Sequence, residues 1–147
     1  MIKEMKPIMR NFETLDSVTI ESSSGIIHIG TQSNAPGMPR IAMRREGSYV
    51  AISASYGPLE IAMRPRFVEL ARILSRLRPV QGLQTTRQVG TGQAYLSLGL
   101  QADGMLVMRP TIVADATGHL CFNLLLSSQT RQQLFDWLPV DVVSDDE

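Results

Sequence analysis

The stretch "IAMRREGSYVAISASYGPLEIAMRPRFVELARILSRL", Ile41 to Leu77, decides the architecture. Its four-residue opening, Ile41-Ala42-Met43-Arg44, returns twenty residues later as Ile61-Ala62-Met63-Arg64, with "SYVAISASY" between the copies. Apolar and polar residues alternate through all three segments, the period of a half-buried strand. A two-residue turn at Glu46-Gly47 sets Arg45 against Ser48, Arg44 against Tyr49, Met43 against Val50, Ala42 against Ala51 and Ile41 against Ile52. Proline is disfavoured at the second central position of a tight turn, so Gly57-Pro58 is placed in a four-residue loop with Ser55 opposite Glu60. Ala54 then faces Ile61, Ser53 faces Ala62, Ile52 faces Met63 and Ala51 faces Arg64.

Because strand side chains alternate, this meander has one apolar face, made of Ile41, Met43, Val50, Ile52, Ala54, Ile61 and Met63. The other face carries Ala42, Arg44, Tyr49, Ala51, Ser53, Ser55, Ala62 and Arg64. Pro65 suits the first position of a helix, and Phe67, Leu70, Ala71, Leu74 and Leu77 follow at helical spacing, so a helix is expected from Pro65 to "RPVQG".

Upstream, Ser17 to Ile20 and Gly25 to Ile29 read as a hairpin around "ESSS", and "TQSNAPGMP" at 31–39 reads as a polar loop. Downstream, "AYLSLGLQADGMLVMRPT" at 94–111 lies over "SYVAISASYGPLEIAMRPR" with one gap, either an internal duplication or two amphipathic hairpins of like design. A three-residue turn at Ala102-Asp103-Gly104 pairs Leu100 with Leu106, Leu98 with Met108 and Ser97 with Arg109. "LQTTRQVG" at 83–90 adds a strand, and "TIVADATGHLCFNLLLS" continues as strand, turn at Asp115 to Gly118, and strand. A closing helix at "SQTRQQLFDWL" takes Ser127 or Ser128 as its N-cap, with Leu134, Trp137 and Leu138 inward.

At 147 residues and 44 % hydrophobic, the chain suits one domain with one core, with residues 1–14 as a loose lead-in and 139–147 as an acidic tail. The fold class is α+β: a curved antiparallel sheet of seven to nine strands with two helices on its apolar face. Acidic and basic residues balance at fourteen each, so no net field draws in a polyanion or a membrane. Locally the balance breaks: residues 40–87 hold nine arginines against three glutamates, and the last twelve residues hold five acids and no base. A single cysteine, Cys121, and no signal-like or membrane-spanning apolar run lead to the expectation of a cytoplasmic protein.

Catalytic and metal chemistry find little support. His119 and Cys121 share a strand face but lack further ligands beyond the distant His28, Asp103 and Asp115 sit beside glycines in turns, and neither "GTG" at 90–92 nor "GSY" at 47–49 has a phosphate-loop context. No enzyme activity, cofactor or metal is expected. The candidate site is the polar sheet face: Arg44, Tyr49 and Arg64, with Tyr95 and Arg109 as a related second patch. Aromatic rings beside guanidinium groups on a flat sheet suit base stacking and phosphate pairing on single-stranded nucleic acid.

Strands followed by a helix, twice over residues 40–138, resemble the element order of the Whirly and transcriptional-coactivator group of single-stranded-DNA-binding folds, which includes small uncharacterised cyanobacterial proteins. The resemblance implies a non-enzymatic nucleic-acid-binding module. The group's strand segment "KGKAAL" has no counterpart, Lys3 and Lys6 being the only lysines, so none of its site residues carries over. The runner-up is an interaction or assembly factor whose arginine face docks an acidic partner or a second subunit as a homodimer.

Overall fold

The computed structural model describes residues 11–33 and 35–140. The chain runs β1 (Glu13–Leu15), β2 (Ser17–Ile20), β3 (Ile27–Gly30), β4 (Arg40–Glu46), β5 (Tyr49–Tyr56), β6 (Leu59–Met63), then α1 (Phe67–Ser75). It continues through β7 (Pro79–Val80), β8 (Arg87–Gly90), β9 (Ala94–Gln101), β10 (Leu106–Asp115), β11 (Gly118–Cys121), β12 (Leu124–Leu126) and α2 (Ser128–Trp137). The class is α+β with two helices and mostly antiparallel pairing, as expected, but the strands divide between two sheets. Five form the order β2-β3-β4-β5-β6; seven form β1-β12-β10-β9-β7, with β11 on β10 and β8 on β9.

The inner faces of both sheets meet in one apolar cluster, Ile27, Ile29, Ile41, Met43 and Ile52 from one side and Leu96, Leu98, Leu106, Met108 and Leu124 from the other. Each helix touches both sheets: α1 packs on β5 and β8, and α2 on β12, β2 and β3. The helices therefore close the seam between the sheets instead of lying on one continuous surface. Leu70, Ala71 and Leu74 are the buried stripe of α1, and Leu134 and Leu138 that of α2, whose Trp137 indole donates to Gly25 O at 2.9 Å. Ser127 caps α2 by accepting from Thr130 N at 3.2 Å.

Two expected registers hold. Leu100–Leu106, Leu98–Met108 and Ser97–Arg109 are partners in the β9–β10 hairpin, and Ile52–Met63 through Ser55–Glu60 are partners in β5–β6. The second hairpin closes one pair further than expected, with Tyr56 opposite Leu59. Gly57 at φ +59 removes the objection to Pro58, because proline restricts only a preceding residue that would otherwise be right-handed helical.

The β4–β5 register is corrected by two residues: Glu46 faces Tyr49, Arg45 faces Val50, Arg44 faces Ala51 and Met43 faces Ile52 around a Gly47-Ser48 loop. A two-residue slip leaves every side chain on its own face, so the apolar pattern is blind to it. Helix α1 also starts later than Pro65. Val50 N donates to Pro65 O at 2.9 Å and Phe67 N to Ser48 O at 2.8 Å, so residues 65–66 extend the sheet before the helix begins at Phe67.

Residues 13 and 14, expected in the lead-in, belong to β1, which lies parallel to β12 and buries Leu15. A short parallel strand beside β9, Pro79–Val80, was not expected either. Residues 1–10 of the lead-in and 141–147 of the acidic tail lie outside the described residues.

Candidate nucleic-acid interface

The outer face of the five-stranded sheet follows from its register. Across β4, β5 and β6 the outward residues are Arg44, Ala42, Tyr49, Ala51, Ser53 and Ala62, joined by Arg64 just past the end of β6. Small side chains at the centre leave the sheet surface hollow. A shallow cleft of ≈ 470 Å³ results, floored by Ala42, Ala51, Ser53 and Ala62 and flanked by Ile26, with Arg44, Glu46 and Arg64 on its lining.

At one end of this floor the polar groups converge. Glu46 accepts from both arginines, with Oε2 taking Arg44 Nε at 3.1 Å and a second bond from Arg44 Nη2, and Oε1 taking Arg64 Nε at 2.9 Å. These bonds, from Arg44 first and Arg64 second, hold the Glu46 carboxyl below the usual carboxylate range. The Arg64 guanidinium lies 4.8 Å from the centre of the Tyr49 ring and that of Arg66 5.7 Å, both within cation–π range. On the other face of the same turn, Arg45 stacks on Phe67 at 3.6 Å and donates to Gly47 O at 3.2 Å. Arg44, Arg64 and Arg66 thus gather around the Glu46 carboxylate and the Tyr49 ring. At the far end of the floor, Ser53 donates to Glu60.

Of the five residues named from sequence, the structure gathers Arg44, Tyr49 and Arg64. The corrected register puts Glu46, not Arg44, opposite Tyr49, and the β5–β6 ladder ends at Ile52–Met63, one pair short of Ala51–Arg64. Tyr95 and Arg109 belong to the seven-stranded sheet, two pairs apart on one of its faces, with Tyr95 opposite Thr111 and Arg109 opposite Ser97. Arg109 Nε donates to Asn123 Oδ1 at 2.7 Å and its guanidinium lies 6.0 Å from the Phe12 ring.

Glu46 and Arg66 are members of the cluster that sequence reasoning missed. Glu46 was legible in one respect: two residues from Arg44 on a strand, it must share that arginine's face. Arg66 was assigned to a helix and only the extended backbone at 65–66 brings it to Tyr49, where the two form a bridge.

Elsewhere, Asp103 accepts from Met105 N at 3.0 Å and Asp115 from Thr117 N at 2.7 Å, both as turn caps. The Thr117 bonds, backbone first, keep the Asp115 carboxyl low. His119 is exposed and Cys121 half-buried on β11. His28 bonds Glu21 at 2.6 Å, and the Glu21 carboxyl is lowered by Ser24 first and His28 second. Among the described residues no three histidine, cysteine or acidic side chains form a group able to hold a metal, and no helix is long and apolar enough to cross a membrane. No protein-family model, curated protein or solved structure gives a significant match to this chain.

Proposed function

We propose that the protein is a non-enzymatic binding module that takes single-stranded nucleic acid, weakly and without strong sequence preference, on the outer face of its five-stranded sheet. The observation that carries the reading is the cleft floored by Ala42, Ala51, Ser53 and Ala62 and lined by Arg44 and Arg64, with the Arg64 guanidinium over the neighbouring Tyr49 ring. A flat small-residue floor admits bases edge-on or stacked, Tyr49 supplies an aromatic face, and the guanidinium groups pair with backbone phosphates. The resemblance in element order to the Whirly and coactivator group agrees with this use of a sheet. Arg44 and Arg64 are the primary phosphate-pairing residues and Tyr49 the stacking residue. Tyr95 and Arg109 form a secondary patch on the other sheet.

Titration of a fluorescent oligothymidylate at low and moderate salt tests the reading. Binding should weaken with salt and fall when Arg64 is replaced by alanine, the salt slope dropping by about 0.7 for each phosphate that is no longer neutralised. Absence of binding at about millimolar or tighter affinity at low salt overturns it.

A second reading has its own support. Glu46 shows that the arginine pair accepts a carboxylate, as an acidic protein partner or the acidic end of a second copy would supply. Oligoglutamate that displaces the oligonucleotide and binds more tightly than it does would favour that reading.

A further inference from the structure

Arg44 and Arg64 arise from β4 and the end of β6, with β5 between them. Their backbones are therefore about two strand spacings apart, roughly 9.6 Å, too far for two guanidinium groups to meet one small anion unless both lean inward. They do lean inward. The residue between them on β5 is Ala51, whose methyl leaves the space open, and the two side chains converge on separate oxygens of one carboxylate. The assembly is exposed: the side chains of Arg44 and Arg64 are 54 % and 58 % accessible, and Glu46 is 26 % accessible. An exposed, forked oxyanion held by two arginines at the mouth of a cleft is the geometry in which arginine also receives the two non-bridging oxygens of a phosphodiester.

We propose that Arg44 and Arg64 form a divided fork for one phosphodiester group, and that Glu46 occupies this fork in the free protein, so that a ligand phosphate enters by exchange with the carboxylate. The inference rests on the nucleic-acid reading for the identity of the phosphate and adds a control element to it. Glu46 acts as a built-in competitor. It keeps the arginines converged when no ligand is present and sets the affinity low, because each phosphate bound at the fork must first displace an ion pair. Glu46 lies beside the turn and is anchored through the fork alone among the hydrogen bonds of its side chain, so it can swing aside without disturbing the apolar face.

The test compares wild type with Glu46→Gln, Glu46→Ala and a charge control, Glu69→Gln, which removes an acid from the first turn of α1. Two probes are used: a labelled oligothymidylate, and dimethyl phosphate followed by NMR through the arginine Nε–H resonances. Both Glu46 variants should bind both probes about tenfold more tightly, as expected for removal of a competing charge-assisted bond, while Glu69→Gln should change affinity by less than about twofold. Dimethyl phosphate should shift the resonances of Arg44 and Arg64, and Arg44→Ala added to Glu46→Gln should remove the gain.

Equal effects of Glu46→Gln and Glu69→Gln overturn the exchange. If the oligonucleotide binds wild type while neither Glu46 variant binds either probe more tightly, the fork fails and the nucleic-acid reading stands. If the oligonucleotide never binds but dimethyl phosphate binds the Glu46 variants more tightly at Arg44 and Arg64, the fork stands and the nucleic-acid reading fails. Circular dichroism of each variant confirms folding, and the two Glu46 substitutions, one isosteric and one truncating, guard against a local distortion being read as a gain.

Discussion

Gly99 lies in the middle of β9, in ordinary extended backbone, where alanine would normally be accepted or slightly preferred. Its neighbours make it different. A methyl group built there overlaps the carbonyl oxygen of Gln84 and stands 2.9 Å from the Gln84 carbonyl carbon and 3.0 Å from Thr85 Cα. These are backbone atoms of the segment that carries the chain from α1 to β8 and crosses β9 at this point, so no side-chain rotation relieves the overlap. Restoring an ordinary carbon–oxygen separation of about 3.3 Å requires that segment to move by about 1 Å or more. It is tied down on both sides, by Thr86 N to Leu98 O at 2.8 Å and Gln101 Nε2 to Gly82 O at 3.1 Å.

Overpacking of about 1–3 kcal/mol, plus the breaking of one such bond at about 1 kcal/mol, less about 0.5 kcal/mol gained by removing a strand glycine, gives a net destabilisation of about 1.5–3.5 kcal/mol for Gly99→Ala. For a chain of this size that corresponds to a fall in Tm of about 3–14 °C. Urea unfolding followed by Trp137 fluorescence, with a thermal melt alongside, measures it. Gly118→Ala is the matched control, because nothing lies within 4 Å of its added methyl, and it should change stability by less than about 0.5 kcal/mol. A Gly99→Ala protein as stable as wild type would refute the crossing of β9 by residues 84–85.

Removing the α2 cap with Ser127→Ala should cost about 1 kcal/mol by the same urea assay, since Thr130 N loses its acceptor. Burial first, and the bond to Glu13 second, raise the Tyr56 hydroxyl above its usual pKa. Its contribution to stability is therefore complete below the unfolded-state pKa and is lost as pH rises through the folded value. Melts across pH 8 to 11 should show an alkaline decline beginning near about pH 10 that Tyr56→Phe makes shallower. Ala51→Leu places a branched side chain between Arg44 and Arg64. It should weaken oligonucleotide binding by about tenfold, the worth of one charge-assisted bond, while urea unfolding changes by less than about 1 kcal/mol because the site faces solvent. Unaltered binding would show that the two arginines need not converge.

The hairpins were legible where turn chemistry pinned them. Asp103-Gly104 placed the β9–β10 register, and Gly57-Pro58 placed that of β5–β6. At Glu46-Gly47-Ser48 two adjacent two-residue turns fit the alternation equally well, and the folded chain takes Gly47-Ser48. The site inherited this. The face shared by Arg44, Tyr49 and Arg64 was readable from alternation alone, whereas the place of Glu46 opposite Tyr49, and with it the closed fork, depended on the turn.

By itself the sequence determined which residues face inward on each strand, where most turns fall and where the two helices lie, because periodicity and turn preference are local properties of the chain. The tertiary structure decided how those pieces meet. Parallel pairing of β1 with β12 and of β7 with β9, the division into two sheets and the bridging of both by each helix all join residues far apart in the chain, for which local pattern carries no information. The same is true of the candidate site. Alternation puts two arginines and a tyrosine on one face, but only the folded sheet brings both arginines over Ala51 onto the carboxylate of Glu46.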